Sequence, residues 1–236
     1  MTFAVVQFPG SNCDQDCLRA LRGIGGAGAE YVWHKEKSLD GFDAIVLPGG
    51  FSYGDYLRCG AVARFSPIMR AVVKGAAAGK LVIGICNGFQ ILCEAGLLPG
   101  ALVRNRSERF VCDLVTTRVE GAPSPFTGGL HEGTLLQLPI AHGEGSFFAD
   151  AETLKSLNAN RQVLLRYCDK RGGITAAANP NGSLENIAGI CNQERNVLGL
   201  MPHPDRACDP RLGSGDGEKI FRSMMNAIAA DRVQAA

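Results

Sequence analysis

Residues 80–90 read KLVIGICNGFQ and combine two kinds of secondary structure in one short stretch. The apolar run from Lys80 to Ile85 is typical of a buried strand, whereas helical spacing begins at Asn87 and ends near Gly96. Glycines on both sides of Cys86 allow a sharp reversal from strand to helix. The stretch therefore predicts a G-x-C-x-G elbow that presents Cys86 at the start of a helix.

The position of Cys86 favours a reactive thiolate. A helix N-terminus supplies the positive end of the helix dipole and free backbone N–H groups, and both stabilise a negative charge on sulfur. An isolated cysteine between a strand and a helix is more often a buried core residue. The flanking glycines and a histidine far downstream favour the other interpretation, a nucleophile that faces a cleft.

Short apolar runs alternate with helical patterns through the first half of the chain. The predicted strands are Phe3 to Phe8, Ala29 to Trp33, Ala44 to Leu47 and Lys80 to Ile85, and the predicted helices are Cys13 to Arg22 and Pro67 to Ala78. This alternation predicts a parallel sheet covered by helices on both faces.

From Leu102 to Leu200 the pattern changes to shorter strand-like runs separated by turn residues. These runs are Leu135 to Ile140, Val163 to Tyr167, Ile174 to Ala178, Ile187 to Cys191 and Val197 to Met201. A last amphipathic pattern, Glu218 to Ala230, predicts a helix that packs back on the sheet. We expect an α/β fold: a flavodoxin-like, doubly wound, mostly parallel sheet flanked by helices, with additional antiparallel strands in the second half. Residues 1–236 are expected to form a single domain.

The composition is that of an ordinary globular protein. The chain has 236 residues, and 24 Lys and Arg against 23 Asp and Glu give a formal net charge of +1. Such a balance gives no electrostatic footprint for nucleic acid or membrane. The first residues lack a secretion signal, and no apolar stretch reaches the ~18 residues that a bilayer span requires. We therefore expect a cytoplasmic protein.

Nine cysteines, an odd number, occur in a chain large enough to fold without disulfides. This usage indicates free thiols in a reducing compartment. No C-x-x-C pair occurs, and Cys13 and Cys17 lack a nearby second pair or histidine that would complete a tetrahedral zinc site. We expect no metal site and interpret the cysteines other than Cys86 as structural.

A thiol nucleophile needs a base and an orienting group. Residues 201–205 read MPHPD and follow a predicted strand, where a doubly wound sheet places its functional loops. Prolines on both sides of His203 hold the backbone extended, so that the imidazole and the Asp205 carboxylate can lie on one side as members of a triad. A surface turn with a solvated carboxylate is the alternative.

Three other histidines are rival bases. His142 lies in a Gly-rich loop that could border a substrate cleft and is the second choice. His34, beside Trp33 at a strand end, is interpreted as a packing residue, and His131, in a polar loop, as a solvated one.

Acyl transfer also needs hydrogen-bond donors for the developing oxyanion. Pro48, Gly49 and Gly50 directly follow a predicted strand and offer backbone N–H groups that no side chain obstructs. We expect the N–H of Gly50 to form the oxyanion hole together with that of Asn87. An ordinary turn is the alternative for the two glycines.

These blocks occur in the order found in class I (triad) glutamine amidotransferases, and the chain resembles that family at residues 48–50, 84–90 and 203–205. The resemblance implies that Cys86 attacks glutamine, that a glutamyl thioester forms and that ammonia is released. It also implies that Gln90 and the stretch 104–110 hold the glutamine. Ser107 is our candidate in that stretch, and His142 is the candidate in the Gly-rich loop; a charged surface loop is the alternative for 104–110.

Four longer blocks are similar to the glutaminase subunits of phosphoribosylformylglycinamidine synthases and extend the resemblance over nearly the whole chain. They read FPGSNCD at 8–14, GFSYGDY at 50–56, PIAHGEG at 139–145 and NPNGS at 179–183. The resemblance implies that ammonia passes to a large synthetase subunit, which uses ATP and Mg to convert formylglycinamide ribonucleotide to the amidine in purine biosynthesis, and that a small subunit bridges the two. The chain has no Walker-type phosphate loop, so we expect ATP and Mg to act on the partner and no cofactor in this chain.

Two residues depart from the family pattern. Asp205 stands where the family usually has glutamate, so the orienting hydrogen bond is expected to be longer or to need a backbone shift. Arg195 stands in a turn where relatives often have glycine. Two other functions stay open: a cysteine hydrolase or chaperone-like protein of the wider flavodoxin-like group, and an interaction subunit whose site has decayed.

Overall fold

The computed structural model describes residues 1–121 and 123–234. Its strands are β1 (Thr2–Gln7), β2 (Gly28–Trp33), β3 (Ala44–Leu47), β4 (Leu81–Ile85), β5 (Ala101–Val103), β6 (Val111–Val119), β7 (Leu135–His142), β8 (Ser146–Phe148), β9 (Val163–Cys168), β10 (Ile187–Cys191) and β11 (Val197–Leu200). Its α-helices are α1 (Asp14–Gly23), α2 (Pro67–Ala77), α3 (Asn87–Glu94), α4 (Ala151–Ala159) and α5 (Asp216–Gln234).

A nine-stranded sheet runs through the molecule in the order β2-β1-β3-β4-β11-β10-β9-β6-β7. The strands from β2 to β11 pair in parallel, and those from β11 to β7 pair in antiparallel fashion. Every residue of β3 and β4 is buried, as expected of central strands covered on both faces. The predicted fold class, with its additional antiparallel strands in the second half, is confirmed.

The parallel part of the sheet brings three loops to one edge. Leu47 at the end of β3 pairs with Gly84 of β4, and Leu200 at the end of β11 pairs with Ile85. The segments that follow these three strands are therefore neighbours in space. They contain the glycine pair, the elbow cysteine and the Pro-flanked histidine, at the edge where open α/β sheets bind their ligands.

Several parts of the second half differ from expectation, and β5, β8 and α4 were not predicted. The predicted strand from Ile174 to Ala178 is wrong, because Ala176–Ala178 form a 3-10 turn in which Thr175 Oγ1 accepts a hydrogen bond from the Ala178 N–H at 3.2 Å. Strand β6 was not predicted, since only two of its residues, Thr117 and Val119, are buried and its sequence shows no clean alternation.

The last helix agrees with expectation and extends beyond it at both ends. Ile220, Phe221 and Met224 of α5 are fully buried in the core. In the part of the chain that the structure describes, no helix is long and apolar enough to cross a membrane.

Candidate active site

Cys86 lies in a strained turn between β4 and α3. Its backbone has φ 51° and ψ −105°, a combination that residues other than glycine rarely adopt. The Cys86 N–H donates to the Leu200 carbonyl at 2.8 Å, and the Cys86 carbonyl accepts from the Phe89 N–H at 3.0 Å. These bonds to β11 and α3 hold the reversal that the sequence predicted.

Close packing explains both glycines of the elbow. A Cβ on Gly88 would collide with the Leu47 carbonyl oxygen, and one on Gly84 would lie 2.6 Å from the Gly88 carbonyl oxygen. Neither obstacle is the end of a flexible side chain, so any larger residue would force the backbone to move. The two glycines therefore let β3, β4 and α3 approach closely enough to form the turn.

The buried side chain of Asn87 joins the elbow to a neighbouring loop. Its Oδ1 accepts from the Ser52 N–H at 3.1 Å. Its Nδ2 donates to Asp55 Oδ1 at 3.2 Å and to Gln90 Oε1 at 2.8 Å. The residue after Cys86 thus ties the 3-10 turn Ser52–Asp55 to the start of α3.

The glycine loop after β3 lies directly beside the elbow. A Cβ on Gly49 would lie 3.4 Å from Cys86 Cβ and 2.7 Å from His203 Cε1. Gly49 therefore keeps the space between the thiol and the imidazole free of side chain.

Gly50 has φ 131°, a conformation that glycine tolerates, and a Cβ there would lie 2.6 Å from the Asn12 backbone nitrogen. At the other side of the thiol, Asn87 is the first residue of α3, where a backbone N–H has no acceptor inside the helix. The structure thus brings together the two segments from which the sequence predicts an oxyanion hole.

His203 is buried on the loop that follows β11. Its N–H donates to the Pro139 carbonyl of β7 at 2.8 Å. The ring Nδ1 lies 3.3 Å and 3.5 Å from the two carboxylate oxygens of Asp205, which lies in the 3-10 turn Pro204–Arg206. These distances are longer than the ~2.7–2.9 Å of a charge-assisted hydrogen bond. The long contact agrees with the expectation for a side chain one methylene shorter than glutamate.

Opposing effects act on the His203 ring. Burial favours its neutral form, but Asp205 and then Cys86 favour the imidazolium, and the pKa of His203 rises to about 10. The ring Nε2 is buried and has no partner of hydrogen-bond geometry within the described residues. A protonated imidazole beside a thiol is what a thiolate–imidazolium pair requires.

Strand β7 forms another wall of the site. Cys86 Sγ lies 3.8 Å from the Ala141 carbonyl oxygen of that strand. The loop that continues from β7, residues 143–145, is fastened to α3 because Gln90 Nε2 donates to the Glu144 carbonyl at 2.5 Å. The side chain of Gln90, predicted to hold substrate, therefore reaches from the elbow helix α3 to this loop.

Two buried asparagines fix the same loop from the other side. Asn105 Oδ1 accepts from the Gly145 N–H at 3.1 Å, and its Nδ2 donates to the His142 carbonyl at 2.8 Å. Asn181 Nδ2 donates to the Gly145 carbonyl at 2.8 Å. Neither residue stands out in the sequence as a functional candidate. Both lie in the blocks 104–110 and 179–183, but a buried asparagine has the same sequence signature as one in a turn.

His142, the second-choice base, is buried next to this network. Its Nε2 lies 3.0 Å from Asn181 Nδ2, and its Nδ1 has no partner within the described residues. Burial, and then the neighbouring His203, lower the pKa of His142 to about 3. The ring stays neutral at neutral pH and contacts the Asn181 amide, whereas His203 contacts the Asp205 carboxylate, so the geometry favours His203 as the base.

The remaining candidates lie farther from the thiol or make other contacts. Ser107 is exposed, and its Oγ accepts from the Arg109 N–H at 3.4 Å. His131 is exposed, as expected. His34 is buried, and its Nδ1 lies 2.8 Å from the Tyr53 hydroxyl, consistent with a packing role. Across residues 1–121 and 123–234, no group of three His, Cys, Asp or Glu is placed to hold a metal ion.

Comparison with known proteins decides the family. The model of the CobB/CobQ-like glutamine amidotransferase domain matches residues 1–221. The chain belongs to this family. The predicted amidotransferase class is confirmed and is favoured over the two other functions that the sequence left open.

Two relatives of this amidotransferase carry the same name. A protein from Acaryochloris marina, named phosphoribosylformylglycinamidine synthase subunit PurQ, is 56% identical over the full length of both chains. One of the same name from Thermomicrobium roseum is 60% identical over 96% of each chain.

Two solved structures also match the chain. A structure described as PurLQS from Thermotoga maritima matches with a TM-score of 0.84 and 44% identity, covering 96% of this chain and 98% of that one. A glutamine amidotransferase from the same organism, 14% identical with a TM-score of 0.60 and 97% coverage of both chains, shares the fold.

Proposed function

We propose that this amidotransferase is the glutaminase subunit of a phosphoribosylformylglycinamidine synthase and that Cys86 releases ammonia from glutamine. The observation that carries the proposal is the placement of a strained elbow thiol beside a buried His203, whose ring Nδ1 lies 3.3 Å from Asp205. The names of relatives at 56% and 60% identity support the choice of synthase.

The reaction follows from the positions of these groups. The Cys86 thiolate attacks the side-chain amide carbon of glutamine, and the amide oxygen takes up the electron pair while the N–H groups of Gly50 and Asn87 stabilise it. The His203 imidazolium gives its proton to the amide nitrogen, the C–N bond breaks, and ammonia leaves a glutamyl thioester. Neutral His203 then removes a proton from water, which attacks the thioester, and glutamate leaves as the thiolate forms again.

Three residues are proposed to hold the glutamine. Gln90 presents its amide between α3 and the loop 143–145, and Ser107 lies on the stretch that Asn105 attaches to the same loop. His142 contributes indirectly: its ring contacts Asn181, which in turn helps to fix the loop 143–145.

The partners are proposed by the same reasoning. The relative from Thermotoga maritima is described as part of PurLQS. We place this chain, as one domain of residues 1–236, in a cytoplasmic complex with a large synthetase subunit that uses ATP and Mg and with a small bridging subunit. The chain itself is proposed to need no cofactor. Exposed Tyr56 and Leu57 beside the Ser52–Asp55 turn offer an apolar surface near the site for such a partner.

A labelling experiment tests the glutaminase proposal. The intact chain is treated with a diazo-ketone analogue of glutamine, with and without its synthetase and small subunits, and the modified peptides are identified by mass spectrometry. We expect one label, on Cys86, and protection by glutamine.

The control is Cys93→Ala, which removes another thiol from the same helix and should leave the labelling unchanged. The variant Cys86→Ala should lose the label and the release of ammonia together. Absence of labelling in the complex, or labelling that glutamine does not reduce, would contradict the proposal.

A further inference from the structure

The segment between β1 and α1 packs against the glycine loop that flanks the thiol. The Cys13 N–H donates to the Gly49 carbonyl at 3.3 Å. Gly50 approaches Asn12 so closely that a Cβ on the glycine would lie 2.6 Å from the Asn12 nitrogen. The course of the glycine loop is therefore set by Asn12 and Cys13 as well as by its own glycines.

The same cysteine is bound by the residue that follows the triad aspartate. Arg206 Nη2 donates to Cys13 Sγ at 3.0 Å, and Arg206 Nε donates to Asp16 Oδ2 of α1 at 3.0 Å. The Cys13 thiol is buried, whereas 34% of the Arg206 side chain is exposed. One guanidinium thus holds both the start of α1 and the loop before it.

The Cys13 thiol is suited to accept this hydrogen bond rather than to react. Burial raises the pKa of Cys13 to about 12, although Arg206 acts in the opposite direction. The group therefore stays a neutral thiol at working pH, with its sulfur lone pairs available to the guanidinium.

We propose that Arg206 and Cys13 are positioning residues that tie the His203 turn to the glycine loop. The connection runs from Asp205 through the adjacent Arg206 to Cys13 Sγ, and from the Cys13 N–H to the Gly49 carbonyl. It rests on the proposed glutaminase function. Its role is to keep the oxyanion donors at a fixed distance from His203. Both can then contact the same tetrahedral intermediate.

The expected effect is set by how strongly acyl transfer depends on this separation. Loss of one oxyanion donor costs about 10²–10³-fold in kcat, and a displacement near 1 Å costs about 10²-fold. Removal of the contact between Arg206 and Cys13 leaves the oxyanion donors and His203 in the site but less well aligned with each other. We expect Arg206→Ala to lower kcat by about 10–100-fold, with KM for glutamine changed by less than about 3-fold.

The test compares two reactions of the same thiol. Iodoacetamide alkylation of Cys86, followed by peptide mapping, needs the thiolate but no oxyanion hole, whereas glutamine hydrolysis needs both. Both are measured on the complete complex for Arg206→Ala, Cys13→Ala and the conservative Cys13→Ser. The matched control is Arg211→Ala, since Arg211 is an exposed arginine on the next turn that pairs with Asp209 at 2.7 Å.

We expect Arg206→Ala and Cys13→Ala to hydrolyse glutamine slowly while Cys86 alkylation stays within about 3-fold of wild type. Cys13→Ser should restore hydrolysis because its hydroxyl can also accept from Arg206, and Arg211→Ala should have no effect. A parallel fall in alkylation and hydrolysis would overturn the proposal, because it would place the effect on the thiolate–imidazolium pair. Unchanged hydrolysis in Arg206→Ala would also overturn it. Failure of the wild-type complex to hydrolyse glutamine would instead contradict the glutaminase function.

Discussion

His203 and His142 occupy two equally buried positions beside the elbow and behave in opposite ways. His203 is 1% exposed and His142 is 3% exposed. The pKa of His203 nevertheless rises to about 10, whereas that of His142 falls to about 3. Burial alone lowers the pKa of an imidazole. At His142 the neighbouring His203 acts in the same direction as burial, whereas at His203 the Asp205 carboxylate and then Cys86 act against burial.

The two rings therefore differ in the charged groups beside them rather than in their depth. The partner of His203 is two residues away along the chain, so the sequence could reveal it. The partner of His142 is Asn181, in a different loop, and no local pattern connects the two. This contrast between the raised pKa of His203 and the lowered pKa of His142 can be tested by experiment.

Replacing each ring in turn should separate the two roles most clearly. We expect His203→Gln to lower kcat for glutamine hydrolysis by at least about 10⁴-fold, because the thiolate loses its proton donor and acceptor. His142→Gln should stay within about 10-fold of wild type, since that ring exchanges no proton. Ammonia release by the complex measures both. Equal losses in the two variants would show that the rings act together.

The charge beside His203 is tested by Asp205→Asn, which keeps the shape of the side chain. We expect the pKa of His203 to fall from about 10 and kcat to fall by about 10²–10³-fold. NMR titration of the ring signals gives the pKa directly. Asp209→Asn, a change in the following turn, is the control and should alter neither quantity. An unchanged ring titration in Asp205→Asn would assign the high pKa to another group.

The two rings should also affect the pH dependence of the free energy of unfolding in different ways. The folded pKa of His203 is raised, so its contribution is fully present below the unfolded value of about 6.5 and is lost as the pH rises toward about 10. The folded pKa of His142 is lowered, so its stabilising effect is present above about 6.5 and is lost as the pH falls toward about 3. Urea unfolding at pH 7.5 to 4.5 should show a loss in wild type that is smaller in His142→Gln. The same loss in both proteins would contradict the low pKa.

The smallest effect is expected from lengthening the carboxylate. Asp205→Glu installs the residue usual in the family and should shorten the 3.3 Å contact to His203 Nδ1. We expect kcat to rise by no more than about 3-fold, because the ring is already protonated. Steady-state kinetics checks this. A fall of 10-fold or more would mean that the surrounding core has packed around the shorter side chain.

The sequence predicts the parallel half of the molecule well because its central strands β3, β4 and β11 are buried at every residue and read as short apolar runs. It also predicts the elbow, since the glycines that packing requires at positions 84 and 88 are visible as a motif. The second half is less predictable. Strand β6 has an exposed, mixed outer face, and α4 buries only Leu157 and depends on its Asp150 cap.

Contacts between distant segments explain what the sequence could not show in the site. Asn105 and Asn181 are placed by the fold beside one loop, and nothing in their own neighbourhoods distinguishes them from turn residues. Cys13 was interpreted as a structural thiol, yet it contacts Arg206, which lies far along the chain. Arg195 is simpler: its φ of 62° agrees with the sequence expectation of a turn where relatives often have glycine.

The side chain of Asn87 has a consequence for protein engineering. In a G-x-C-x-G motif its position is nominally free, but here the amide bonds the Ser52 backbone, Asp55 and Gln90 at once. A designer who transplants only the five-residue motif into another α/β scaffold would leave these donors and acceptors without partners in a dry interior. The smallest portable unit is therefore discontinuous: it comprises the elbow, Gln90 on the following turn of α3 and the turn Ser52–Asp55.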